Sequence, residues 1–168
     1  MGLTMPIRAF VFIFSLMPVY TSAFCFEEAG RRYRIDPLIL ESIAVKESSL
    51  RQKATNANTN KAGRVTSIDY GVMQINTVNA NALVSMGKIR RPEDLLDDAC
   101  FNVNAGAWVL AKHLRVCGNT WSCLGSYNAG FSSSRKQELR RLRYAADVRR
   151  IYERLKMRAT HPSSLANR

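Results

Sequence analysis

The sequence predicts a mainly helical α+β domain, a helical body carrying a small irregular β or loop region around residues 51–70. Three observations predict it. Apolar residues recur at helical spacing through most of the chain beyond residue 24. Asp-Pro, Asp and Gly residues stand where helices would begin and end. A single stretch, Arg51 to Ser67, replaces apolar content with Asn, Thr, Lys and Gly.

The elements follow in order. Residues 25–34 read as a short first helix. Asp36-Pro37 then offers an N-cap followed by proline at the first helical position. The helix it opens is expected to reach about Ser49, with Leu40, Ile43, Ala44 and Glu47 at i, i+3, i+4 and i+7. After the Asn- and Thr-rich stretch, a helix is predicted from Thr77 to Met86, stopped by Gly87, and Pro92 starts a short helical turn. Asp97 or Asp98 caps a longer helix containing Val103, Gly106, Ala107, Leu110 and Leu114. Gly118-Asn119-Thr120 breaks it, another helix runs from Trp121 to Gly130, and a basic helix covers Leu139 to Met157.

The ends are read differently. Residues 1–23 hold Arg8, the apolar run Ala9 to Met17 and the small-residue end Thr21-Ser22-Ala23, the pattern of a cleavable secretory signal. An uncleaved anchor is the alternative, but the run falls short of the about 20 apolar residues that span a bilayer. Residues 24–158 are then one domain, and residues 159–168 are expected to be a flexible tail. Export implies a periplasmic location with no stable membrane span after cleavage; a monomer is expected, with no residue pattern that fixes the oligomeric state.

Charge and cysteine content narrow the function classes. A net charge of +12 predicts attraction to a polyanion. For an exported chain that means the cell wall or lipid headgroups, and no aromatic-basic RNA motif points to nucleic acid. Cys25, Cys100, Cys117 and Cys123 make an even set, which reads as two disulfides with three pairings open. His113 and His161 show no ligand spacing with them, so no metal is expected.

Glu47 is the informative residue. It ends an apolar helical stripe, so its carboxyl faces either the interior of a cleft or a solvated rim where Lys46 or Arg51 would pair with it. In a cleft, desolvation favours the protonated form, the condition for a general acid near neutral pH.

Three stretches in order carry a resemblance: Glu47-Ser48, Tyr70-Gly71-Val72-Met73-Gln74-Ile75-Asn76, and Ser126-Tyr127-Asn128-Ala129-Gly130. They resemble the signatures of lytic transglycosylases with the goose-lysozyme-like catalytic domain. Within these, the chain is most similar to the small specialised enzymes that accompany type III and type IV secretion or conjugation machines. The resemblance implies a lysozyme-like fold, peptidoglycan glycan strands as substrate, a secretion or conjugation protein as partner, and no cofactor. It implies that Glu47 protonates the glycosidic oxygen between N-acetylmuramic acid and N-acetylglucosamine, then deprotonates the muramoyl 6-hydroxyl to give a 1,6-anhydro product. Ser48, Gln74, Asn76, Tyr127, Asn128 and Tyr144 become candidate substrate-binding residues, Tyr127 also as the group orienting Glu47 and Tyr144 as a further family tyrosine near the acid. Taken alone, Met73 and Ile75 read as core, and Tyr144 could equally be packing.

A second resemblance overlaps the first. Ala54 to Asn60 followed by Ser67-Ile68-Asp69-Tyr70-Gly71 is similar to the active-site β region of hen-type lysozymes, whose aspartate there is a second catalytic carboxylate. It implies that Asp69 faces Glu47 as an ionised partner, although Asp before Tyr-Gly is also an ordinary turn cap. A hydrolytic muramidase using both carboxylates is thus the alternative activity. A non-catalytic wall-binding assembly protein is the alternative from another class. The expected disulfides are Cys117–Cys123, closing a short turn between helices ahead of Ser126, and Cys25–Cys100, pinning the first helix to the one after Asp98.

Overall fold

The computed structural model describes residues 24–160; the expected secretory signal and the tail from residue 161 onward lie outside the described residues. Helix α1 (Phe26–Tyr33) leads into α2 (Pro37–Ser48), where Asp36 caps the start by accepting from the Leu38 N–H at 2.9 Å. Ser49 and Leu50 adopt the left-handed conformation and end α2. The chain then forms strands β1 (Thr55–Thr59), β2 (Val65–Tyr70) and β3 (Ile75–Asn76), an antiparallel sheet in the order β1-β2-β3.

The rest is helical. Helix α3 (Thr77–Ser85) is capped by Asn76, and a 3₁₀ turn covers Pro92–Leu96. The 19-residue helix α4 (Ala99–Cys117) is capped by Asp98, which accepts from the Phe101 N–H. Its inward face, Val103, Ala107 and Leu110, packs with Leu40 and Ile43 of α2, Leu83 of α3 and Val148 of the last helix. This mainly helical α+β architecture is the fold class predicted.

Three boundaries differ from the sequence expectation. The helix expected from Trp121 to Gly130 is two short helices, α5 (Trp121–Leu124) and α6 (Ser126–Ala129), parted at Gly125. A Cβ on Gly125 would lie 2.2 Å from the Arg141 carbonyl oxygen, so close packing with the last helix requires glycine at this junction. That helix, α7 (Arg135–Thr160), begins a full turn earlier than the apolar pattern shows, because Ser134 serves its first turn by accepting from the Gln137 N–H. It also continues through Thr160, two residues into the segment expected as tail.

Disulfides join Cys25 to Cys100, tying the start of α1 to α4, and Cys117 to Cys123, tying the end of α4 to α5. Helices α2 and α7 pack along their lengths. Tyr152 donates to Asp36 at one end of the pair, and Lys46 meets Asp147 at 2.7 Å at the other.

Candidate active site

Glu47 stands in the last turn of α2, half-buried, its carboxyl turned toward α7 rather than to the solvated rim. The cations beside it are engaged elsewhere. Lys46 pairs with Asp147, and the Arg51 guanidinium donates to the Ser48 carbonyl. The Tyr144 hydroxyl donates to Glu47 Oε1 at 2.6 Å. Burial raises the Glu47 pKa above its ordinary value; the Tyr144 bond and the Lys46 charge pull it down, and the Asp69 charge pushes it up further. Burial and the Glu47 charge hold the Tyr144 phenol well above its usual range, so it stays a donor.

Asp69 is set by the sheet. It occupies the middle strand, opposite Asn56 of β1 and Asn76 of β3. Strand alternation puts Asn56, Asn58, Ser67 and Asp69 on one polar face. The Asn58 amide donates to Asp69 Oδ2 at 2.9 Å and the Asn56 amide at 3.3 Å. Those two asparagines lie in the stretch that resembles hen-type lysozymes, yet only the register shows that they serve the carboxylate. As a carboxylate fixed on a sheet, Asp69 is close enough for its charge to act on Glu47.

The chain between β2 and β3 is held from three sides. Gly71 has a φ of 75°, and a Cβ there would lie 2.2 Å from Asn102 Nδ2, so both backbone and space demand glycine. Fully buried Asn102 of α4 accepts from the Met73 N–H at 2.8 Å and donates to the Tyr70 and Leu95 carbonyls at 3.0 and 3.1 Å. The Tyr127 hydroxyl donates to the Met73 carbonyl at 2.9 Å. The Ser48 hydroxyl donates to the Val72 carbonyl at 2.8 Å and accepts from the Arg51 N–H. Asn102 was missed by the sequence reading; its signal is a lone amide four residues before Gly106 on an otherwise apolar stripe.

These contacts redistribute the expected roles. The tyrosine that touches Glu47 is Tyr144, whereas Tyr127, expected to orient it, is turned to the Met73 carbonyl. Ser48, expected to meet substrate, is buried with its hydroxyl engaged by backbone. The Gln74 amide donates to the Gly71 and Ala54 carbonyls, and the exposed Asn76 caps α3 by accepting from the Asn79 N–H. Asn128 is exposed on α6, the residue after Tyr127. Met73 and Ile75 are core. Among the described residues, Cys25, Glu28 and Cys100 bring three metal-type ligand atoms together, but the two sulfurs are already bonded to each other.

A half-buried carboxyl with a raised pKa, a phenol donating to it and a second carboxylate nearby can deliver and recover a proton beside an anionic partner. Residues 24–148 match the transglycosylase SLT domain. The chain belongs to that family. The matched span encloses Glu47, Asp69, Tyr127 and Tyr144, and the family's enzymes are glycan-cleaving transglycosylases acting on peptidoglycan outside the cytoplasm. Relatives of this SLT-family chain include the "Peptidoglycan-binding-like protein" of Escherichia coli O157:H7, 41% identical over 136 residues (81% of this chain, 80% of the relative). Protein IpgF of Shigella flexneri is 39% identical over 147 residues (87% and 91%). Invasion protein IagB of Salmonella typhimurium (strain SL1344) is 32% identical over 148 residues (88% and 87%).

Tyr144→Phe gives an expected result with two parts. As Glu47 yields its proton, the phenol stabilises the carboxylate that forms, so turnover falls about 10-fold or more, the weight of a hydrogen bond to a charged group. Because that bond lowers the Glu47 pKa, its loss raises the pKa, and the alkaline limb of the pH–rate profile moves to higher pH. An unshifted limb would separate Tyr144 from the titration of Glu47.

Proposed function

We propose that the protein is a lytic transglycosylase that cuts the β-1,4 bond between N-acetylmuramic acid and N-acetylglucosamine and leaves a 1,6-anhydro end. The observation that carries the reading is the protonation-competent Glu47, half-buried and held at 2.6 Å by Tyr144. Glu47 donates its proton to the glycosidic oxygen as the bond to the anomeric carbon breaks. The resulting carboxylate takes the proton of the muramoyl 6-hydroxyl, whose oxygen closes on the anomeric carbon. One residue thus serves as acid and then base, and the proton balance closes without water. Mass analysis of muropeptides released from purified sacculi tests it. Anhydro ends are expected, and reducing ends would replace the reading with hydrolysis.

Asp69 supports a second, electrostatic contribution, and it is also the observation that favours the muramidase alternative. Its carboxylate, fixed by Asn56 and Asn58, would stabilise the oxocarbenium-like transition state across the scissile bond. Asp69→Asn is expected to lower turnover by about 10²-fold, the low end for one preorganised charge-stabilising group, with the anhydro product still formed. Its charge raises the Glu47 pKa, so the variant's alkaline limb should move to lower pH, opposite to Tyr144→Phe. Wild-type turnover with an unmoved limb would leave Asp69 a structural carboxylate that holds Asn56 and Asn58 across the sheet.

The same reading covers the cellular setting. The two disulfides support export to the periplasm, and the likeness to a relative named an invasion protein supports local wall opening for a secretion or conjugation apparatus.

A further inference from the structure

Helix α7 has two unlike faces. Tyr144, Ala145 and Val148 are buried against the body of the protein. The opposite face keeps large apolar side chains in solvent: Leu139 is 54% exposed, Leu142 47% and Met157 59%. At 3.6 residues per turn these three and exposed Ala146 fall within an arc of about 60°; Leu139, Leu142 and Ala146 make a spine of about 10 Å, and Met157 continues its line beyond Arg150 and Glu153. Basic residues flank it: Lys136, Arg143 and Arg154 on one side and Arg149 on the other. Ala146 floors a shallow depression walled by Arg149, Arg150, Glu153, Arg154 and Met157, with Glu153 3.9 Å from the Arg149 guanidinium. The helix carries ten Lys or Arg against three Asp or Glu, more than half of the chain's +12.

We infer that this outward face of α7 docks on an anionic lipid bilayer. A thin apolar spine bordered by arginines suits a helix lying in the plane of an interface, with Leu and Met side chains below the headgroups and guanidinium groups at the phosphates. The ten basic against three acidic residues of the helix suit an anionic surface, and Arg150 and Glu153 between Ala146 and Met157 leave too few apolar anchors for a groove. The face lies on and does not cross the bilayer: no helix among the described residues is long and apolar enough to span one. Docked this way, the helix keeps the side that bears Tyr144 turned toward Glu47.

Co-sedimentation of the full chain with vesicles tests the inference, using phosphatidylglycerol mixed with phosphatidylethanolamine against pure phosphatidylcholine. Lys136→Gln/Arg143→Gln/Arg154→Gln removes three basic residues that form no ion pair among the described residues. Each basic group at an anionic surface contributes roughly fivefold in partition, so a fall on the order of 100-fold is expected on anionic vesicles. Lys61→Gln/Arg64→Gln/Lys88→Gln, with the same charge loss on exposed sites elsewhere, should leave partition nearly unchanged. The N-terminal apolar run is common to both variants, so their difference reports α7. Leu139→Ser/Leu142→Ser should also weaken binding, through lost apolar burial. Equal losses in the two charge variants would overturn the inference by reducing it to overall charge. An α7 variant that loses retention on sacculi but not on vesicles would assign the face to the wall polymer instead.

Discussion

Glu47→Gln is expected to lose wall-cleaving activity by about 10²–10⁴-fold for each of the two proton transfers it serves, while the fold survives. Glutamine keeps the shape and can accept from the Tyr144 hydroxyl, so the α2–α7 contact persists, but it has no acidic proton to give. Stability should move the other way from activity. The folded pKa of Glu47 lies above its unfolded value of 4.5, so the native state holds the proton more tightly. The stability this carboxyl contributes is therefore full below the unfolded pKa and lost as pH rises through the folded one. At neutral pH the wild type bears that loss and the glutamine variant does not. Thermal unfolding at pH 4 and pH 7 should show the variant gaining on wild type at the higher pH. Near-native turnover in a folded variant would remove Glu47 from the chemistry.

Asn102→Ala should be the most damaging substitution outside the reacting groups. It removes the Asn102 amide from the buried Met73 N–H and from the Tyr70 and Leu95 carbonyls, and it opens a cavity beside Gly71. At about 1–3 kcal/mol for each unsatisfied buried group, with partial relaxation, a loss of roughly 3–5 kcal/mol follows. Urea unfolding measures it, and a loss below about 1 kcal/mol would show that the turn holds itself. Asn102→Asp sharpens the test. An aspartate keeps the acceptor for Met73 but must bury a charge at neutral pH, so its deficit should shrink on acidification, where the protonated carboxyl can donate to one carbonyl. The deficit of the alanine variant has no such pH dependence.

How much could be read without the structure follows from where each signal resides. Asp36-Pro37 and Asp98 announce α2 and α4 because caps are local chemistry, confined to a few residues. The Asn- and Thr-rich run announces an irregular β region, but not that Asn56 and Asn58 both reach Asp69, since register is a pairing property. The need for glycine at the α5–α6 junction comes from the Arg141 backbone, sixteen residues on in the chain and invisible to periodicity. The start of α7 escapes because Arg135, Lys136 and Gln137 present no apolar face. At the candidate site, Glu47 and Asp69 stand out as charges with local context. That Tyr144 and not Tyr127 bonds to Glu47 is not legible, because a phenol's direction depends on how α6 and α7 dock, and Asn102 is a polar exception inside an apolar stripe.

The bond between Tyr144 and Glu47 joins positions 97 residues apart in the chain. A polypeptide that emerges from a ribosome or a translocation channel N-terminus first therefore presents the acid long before the phenol that tunes it. Until residue 144 has emerged and the last helix has closed against α2, the half-made enzyme lacks both its tyrosine and the Lys46–Asp147 clasp beside it. On the proposed mechanism, cutting power arrives only once the last helix has docked, and a chain truncated before it would lack the assembled acid.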